Sequence, residues 1–329
     1  MAMEKKYDVT ALGELLIDFT ENGISGQGNP ILEANPGGAP CNVLAMLQSL
    51  GNKTSFIGKV GKDQFGRMLK ETIEMVGIDS GNLIMDAEVH TTLAFVHTFE
   101  DGDRDFSFYR NPGADMMLTK AEVQKERIEA SNIFHFGTLS STHEQCKEAT
   151  RYAIQCAKDA GVLVSFDPNL REPLWADLAD AKREIAYGLG LCDILKISDN
   201  EVTFMTGEED LEKGAQLLLE KYQIPLMFVT LGKSGSRAYY KGMRMEADAF
   251  VLKDTIETTG AGDTFMGCVL SKVLEAGGID SLTEEQIQDM LIFANAGASL
   301  ITTKRGALKV MPKREEIAGL IAGAERNVL

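Results

Sequence analysis

In the stretch ETTGAGDTFMG, Glu257 to Gly267, two glycines flank an alanine and an aspartate follows directly. Glycine loses more conformational freedom on folding than any other residue. A loop that uses it twice in three residues needs unusual dihedrals or a close approach to its backbone. Beyond the loop, Phe265, Val269, Leu270, Val273 and Leu274 recur at helical spacing, and Gly277–Gly278 closes the run. Gly260, Ala261 and Gly262 therefore turn into a helix, with Asp263 in its first turn. A helix start presents unpaired N–H groups and partial positive charge, which suits a phosphate or a developing anion. Asp263 has two readings on this local evidence. It is a cap favoured by the same dipole, or a carboxylate that takes a proton from an attacking hydroxyl. A cap alone does not require glycine on both sides of Ala261.

Other chemical motifs fail on spacing. A P-loop would need glycine where Met227 stands, ahead of Gly232-Lys233-Ser234. A dinucleotide fingerprint would open the first βαβ unit; here the glycine after Gly260 and Gly262 comes only at Gly267, late in the chain. His135, His143 and Cys146 match no standard metal-ligand pattern and have no evident fourth ligand. Trp175 and the scattered methionines read as packing residues.

The elements that must position this loop alternate along the chain. YDVTALG, KTSFIGKVG, SNIFHFGTL, GVLVSFDPN, CDILKIS and PLMFVTLG are short apolar runs, suited to strands buried on both faces. Helical patterns stand between them: CNVLAMLQSLG, QFGRMLKETIEMVG, HEQCKEATRYAIQCAKDAG and LEKGAQLLLEKYQ. This predicts an α/β fold, a doubly wound and mainly parallel sheet flanked by helices, in a single domain over residues 1–329. Two segments break the rhythm, at about 14–36 and 90–115. In the second, two strand-like runs are joined by EDGD, a hairpin signal. Both segments read as antiparallel and are expected to form a small β-sheet lid.

The 329 residues carry a net charge of −16, which disfavours nucleic acid and anionic membranes as partners. No uncharged run approaches the roughly 20 residues of a membrane span. The opening residues lack a signal-peptide core, and the five cysteines form no C-x-x-C pair, so a cytoplasmic location is expected.

At this point the sequence resembles the ribokinase/PfkB family of sugar kinases over nearly its whole length. GELLIDF, NPGGAPCNVLAMLQSLG, GKVGKDQFGRML, DPNLREPLW, KISDNE, VTLGKSGS, TTGAGDTFMG and FANAGASL occur in the family's order. FYRNPGADMML and DPNLREPLW make it most similar to the fructokinase subgroup. The resemblance implies ATP-dependent phosphorylation of a primary sugar hydroxyl, most simply fructose to fructose 6-phosphate. Asp263 matches the catalytic base, and the N–H groups of Gly260, Ala261 and Gly262 match the anion hole. Asp18, Gly37, Gly38 and Asn42 match sugar-binding positions. Arg110 and Asn111, at the end of the lid hairpin, and Asn169 and Arg171, after a buried strand, are further substrate candidates. Arg110 could equally be a solvated loop charge.

Lys196, Glu201, Thr230, Gly232, Gly235 and Asn295 match the nucleotide site, with Asn295 open also to a structural hydrogen bond. Glu201 is expected to reach Mg²⁺ through water; Ser198 stands where the family usually has Asn. Mg²⁺ is implied as ATP's counter-ion. K⁺ is a further implied cofactor, and Glu257 bears on it because members usually carry Asp at that position. Other substrates of the class remain alternatives: 2-keto-3-deoxygluconate, ribose or a riboside. So does a catalytically inactive sugar-binding regulator. Pairing of lid edges between two chains would give a homodimer.

Overall fold

The computed structural model describes residues 5–98 and 104–326, so the EDGD turn lies outside the described residues. In chain order the elements begin β1 (Tyr7–Leu12), β2 (Leu16–Ile24), β3 (Pro30–Gly37), α1 (Ala39–Ser49), β4 (Thr54–Gly61), α2 (Gln64–Met75) and β5 (Asp79–Asp86). Next come β6 (Leu93–Thr98), β7 (Arg104–Tyr109), α3 (Lys125–Glu129), β8 (Ser131–Phe136), α4 (Glu144–Asp159), β9 (Leu163–Phe166), α5 (Leu178–Leu189) and β10 (Ile194–Ser198). The chain continues with α6 (Asp199–Thr206), α7 (Leu211–Tyr222), β11 (Leu226–Thr230), β12 (Ser236–Tyr240) and β13 (Met243–Ala247). It ends with α8 (Ala261–Glu275), α9 (Glu284–Ile301) and α10 (Arg314–Arg326).

The large sheet has the order β13-β12-β11-β10-β9-β8-β1-β4-β5. From β5 to β11 every pairing is parallel; the edge hairpin β12–β13 is antiparallel. The parallel strands from β1 to β11 in its interior are mostly apolar because helices cover both faces. Val9, Ala11 and Ile133 face α1, α8 and α9 in one core. Leu12, Phe134 and Phe136 face α4, α5 and α7 in the other. That alternation of neighbours in one strand is the doubly wound architecture expected from the sequence.

The small sheet has the order β3-β2-β6-β7. Each hairpin is antiparallel, with Asp18 opposite Asn35 and Ala94 opposite Phe108. The two hairpins join in parallel through β2 and β6, where Asp18 pairs with Ala94. This corrects the wholly antiparallel expectation. The register between segments so far apart has no local sequence signal.

Successive strand residues point to opposite faces. Phe19 stacks on Phe95 at 5.0 Å and meets Phe65 of α2 edge-on at 5.6 Å, which leaves Asp18 on the other face. Among the described residues no helix is long and apolar enough to cross a membrane.

Candidate active site

Side chains from α1, from β10 and from the segment after β9 approach the start of α8. Gly260 caps this helix at φ 76, a left-handed conformation that glycine adopts without strain. The Ala261 N–H donates to the Thr258 carbonyl at 3.2 Å and so closes the turn. The anion hole expected from three successive N–H groups thus has one of them tied into the loop itself.

Asp263 is buried in the first turn, and its Oδ2 accepts a hydrogen bond of 2.8 Å from the Asn42 amide. Asn42 lies in the first turns of α1, directly after the Gly37–Gly38 turn. Among the described residues its buried Oδ1 has no partner, so an acceptor remains for a ligand. Burial pushes the Asp263 carboxyl up to about 6, assisted by the charge of Asp167 and opposed by Asn42, Lys196 and Arg171. A solvated cap would not be raised in this way.

Lys196, at the centre of β10, reaches Asp167 with Nζ to Oδ2 at 2.8 Å. Both side chains are almost wholly buried. A Cβ on Gly262 would come within 3.0 Å of the Lys196 ammonium. The second glycine of the loop therefore makes room for a cation beside the helix start. Asp167 was not singled out by the sequence reading, although it opens the DPN segment. Its Oδ1 has no partner among the described residues, and it sits just past the carboxyl end of β9, where ligands gather in such sheets.

Asp18 lies across the cleft. A Cβ at Gly37 would overlap its carboxylate, so the glycine lets the Asp18 side chain lie against the backbone there. Burial pushes Asp18 up to about 6; Arg171 opposes the shift, and Glu257 and Asp263 add to it. Asp18, Asp263, Arg171 and Glu257 thus act on one another in a single cleft. The raised acids predict a pH profile. In the base role that the resemblance implies, Asp263 would have to be ionised, so kcat/KM should fall as pH drops through about 6, with Asp18 steepening the loss. Steady-state rates from pH 5 to 8 check this, and a flat profile there would contradict it.

A cavity of about 360 Å³ beside Lys196 is lined by Asn169, Arg171, Ser198 and Glu201 among others. Asn169 adopts φ 46, which aims the loop after β9. The Glu201 carboxylate is committed to the protein. It accepts from the Leu170 N–H at 2.7 Å and from the Ser198 N–H and hydroxyl at 2.8 and 2.9 Å. Ser198, which replaces the family's Asn, is thereby the cap of α6. Thr230 ends β11, and the Gly232–Gly235 turn follows it with positive φ at both glycines. A Cβ on Gly235 would overlap the Ala247 carbonyl. Asn295 of α9 accepts from Ser236 at 3.0 Å and donates to the carbonyls of Ala247 and Asp248 at 2.9 and 3.2 Å. These bonds favour its structural reading, holding the strand that leads to residues 248–259.

Arg110 is also committed inside the protein. It pairs with Asp115 at 2.7 Å and donates to Thr142 at 2.7 Å and to the Leu139 carbonyl at 3.1 Å. Asn111, next to it, is exposed.

A mainly parallel sheet flanked by helices, with a separate small sheet and a buried carboxylate at a glycine-turned helix start, has the architecture of small-molecule kinases of the ribokinase fold. The model for pfkB family carbohydrate kinases matches residues 6–314, and the chain belongs to that family. It is 38% identical over 317 residues to probable fructokinase-4 of Arabidopsis thaliana, covering 96% of this chain and 97% of the relative. Among solved structures, fructokinase with bound ATP from Xylella fastidiosa matches with a TM-score of 0.89 at 29% identity, covering 98% of this chain and 100% of that one. A fructokinase double mutant from Vibrio cholerae O395, bound to fructose, ADP and potassium ion, matches with a TM-score of 0.86 at 30% identity, covering 97% and 99%.

Proposed function

We propose that this chain transfers the γ-phosphoryl group of ATP to the 6-hydroxyl of D-fructose, releasing ADP and fructose 6-phosphate. The 2.8 Å bond from Asn42 to Asp263 is the observation that carries this reading. It joins the loop read as the sugar site to the loop read as the anion site, so one carboxylate faces both substrates. The fructokinase relatives supply the choice of sugar.

Asp263 takes the proton of the 6-hydroxyl while its oxygen attacks phosphorus. The alcohol turns strongly acidic only as that bond forms, so a carboxylate near 6 suffices. Charge on the transferring group is met by N–H groups at the start of α8 and by Lys196. Asp18 accepts hydrogen bonds from sugar hydroxyls. Mg²⁺ bound with ATP would supply charge neutralisation of the phosphates; the free Oδ1 of Asp167 would hold it through water, and Glu201, whose oxygens already accept from Leu170 and Ser198, would do so less directly. Among the described residues no cluster of three metal-ligating side chains exists, which fits a metal bound mainly by phosphate and water.

A cleft of about 620 Å³ lined by Asp248, Phe250, Val251, Leu252 and Leu320 offers an apolar slot for adenine beside Asn295. The Glu257 carboxylate accepts from the Gly306 N–H at 2.8 Å, so the longer side chain ties its segment to the 302–306 turn. The potassium ion in the Vibrio cholerae fructokinase structure is the ground for including K⁺ in the assay.

ADP release with Mg·ATP across a panel of sugars, with and without K⁺, tests the reading. Fructose should lead. Turnover of another sugar alone would reject fructose and keep the kinase, whereas no turnover on any sugar would reject the kinase reading.

A further inference from the structure

Four connections join the small sheet to the large one: residues 13–15 after β1, 38 before α1, 87–92 after β5, and 110–114 after β7. The polar groups at their bases interlock. Glu14 is 5% exposed, and its Oε1 accepts a hydrogen bond of 2.8 Å from the Ala39 N–H. Gly38 has no side chain with which to cap α1, and it sits at φ 135. A Cβ there would overlap the Glu14 carbonyl oxygen. Glu14 thus supplies, from the first connection, the cap that the second lacks.

The third and fourth connections meet in the same way. Arg110 donates to Asp115 at 2.8 Å, and the Thr92 hydroxyl bonds to the same carboxylate. Arg110 and Asp115 both act on the Glu14 carboxyl, and the Cys41 thiol faces it from α1. Burial pushes Glu14 up to about 7, against the pull of two backbone N–H groups. A buried carboxylate is costly, and a neutral side chain would pack there with less penalty. The mechanism above uses Asp263 as proton acceptor and Asp18 as hydroxyl acceptor, and it leaves Glu14 unused.

We propose that Glu14 is a positioning residue for sugar binding. By bonding the first turn of α1 to the base of the small sheet, it holds Asn42 and Asp18 in register across the cleft. The proposal rests on the sugar-kinase reading, and β2 carries both parts of it: Glu14 enters the strand and Asp18 lies within it.

Glu14→Ala, Glu14→Gln and Glu14→Asp test the assignment by steady-state kinetics with fructose and ATP varied separately. A charge-assisted hydrogen bond is worth roughly one to two decades of binding. Glu14→Ala should raise the fructose KM about tenfold or more and leave the ATP KM within about twofold. Glu14→Gln keeps an acceptor at the same reach and should restore most of the loss. Glu14→Asp keeps the charge but falls short of Ala39, and should behave like alanine; it also serves if the alanine variant does not fold.

An unchanged fructose KM in the alanine and aspartate variants would overturn the proposal. So would equal rises for fructose and ATP, or a glutamine variant as poor as alanine. The wild-type protein tests the underlying reading separately. If it turns over a different sugar, fructose is rejected and the same comparison is made on that sugar.

Discussion

Replacement of Asp263 by asparagine should cost about 10²-fold or more in kcat while leaving the ATP KM close to that of the wild type. Asparagine keeps the shape of the side chain and an oxygen to accept the 2.8 Å bond from Asn42, so the loop and helix start stay assembled. It cannot take a proton. Near-wild-type turnover would reduce Asp263 to a helix cap.

The same variant should be more stable than the parent at pH 8. Burial raises the folded-state acid from 3.8 to about 6, so ionisation is harder in the folded chain than in the unfolded one. Below about pH 4 the residue is protonated in both states and costs nothing. The cost grows between about 4 and 6 and is fully present above that, where it is worth roughly 2–3 kcal/mol. Thermal unfolding should therefore show the variant ahead at pH 8, with the margin closing as pH falls toward 4. Lower activity together with higher stability is the signature of a carboxylate kept for chemistry. Equal melting temperatures at pH 8 would argue that the site is far better solvated than its burial implies.

Much of this arrangement is legible in the sequence because local signals agree with the fold. Apolar runs locate β1, β4, β8, β9, β10 and β11, most of them bounded by glycine, and the glycines at 51 and 77 close α1 and α2 with positive φ. The edge hairpin β12–β13 is less visible. Arg237, Arg244 and Glu246 alternate with its buried residues and dilute the apolar pattern. Its turn, Lys241-Gly242, takes positive φ at both positions, and a lysine there gives little warning.

The site divides on similar lines. The glycine spacing announces the α8 start, but the reason for the second glycine appears only when Lys196 is seen packed against it. Asp167 becomes a candidate once its partner, 29 residues later, leaves one oxygen free. Asn295 and Arg110 have the right types for ligand contacts, and folding turns both inward onto their own chain. No spacing rule foretells which polar side chains will be spent in that way.

Lys196→Met should lower kcat by roughly 10²- to 10³-fold, the range found when a preorganised group facing transition-state charge is removed. The fructose KM should change little, because the ammonium stands at the phosphoryl end of the cleft beside Gly262. The charge also holds the Asp263 carboxyl down, so the acid limb of the pH profile should move upward in the variant. One complication is built into the site: Asp167 would lose the partner it holds at 2.8 Å and be left as a buried, unpaired carboxylate. Such a loss is commonly worth about 3–5 kcal/mol of stability. The double variant Lys196→Met with Asp167→Asn removes both charges and should recover most of that stability. Turnover should stay low, because the cation facing the transferring group is still missing and the carboxylate proposed to hold the Mg²⁺ water shell is gone as well. Thermal unfolding and steady-state rates on the two variants separate the roles. Recovery of turnover along with stability would make Lys196 only the counter-ion of Asp167, and the charge on the transferring phosphoryl group would then fall to the start of α8 and to Arg171.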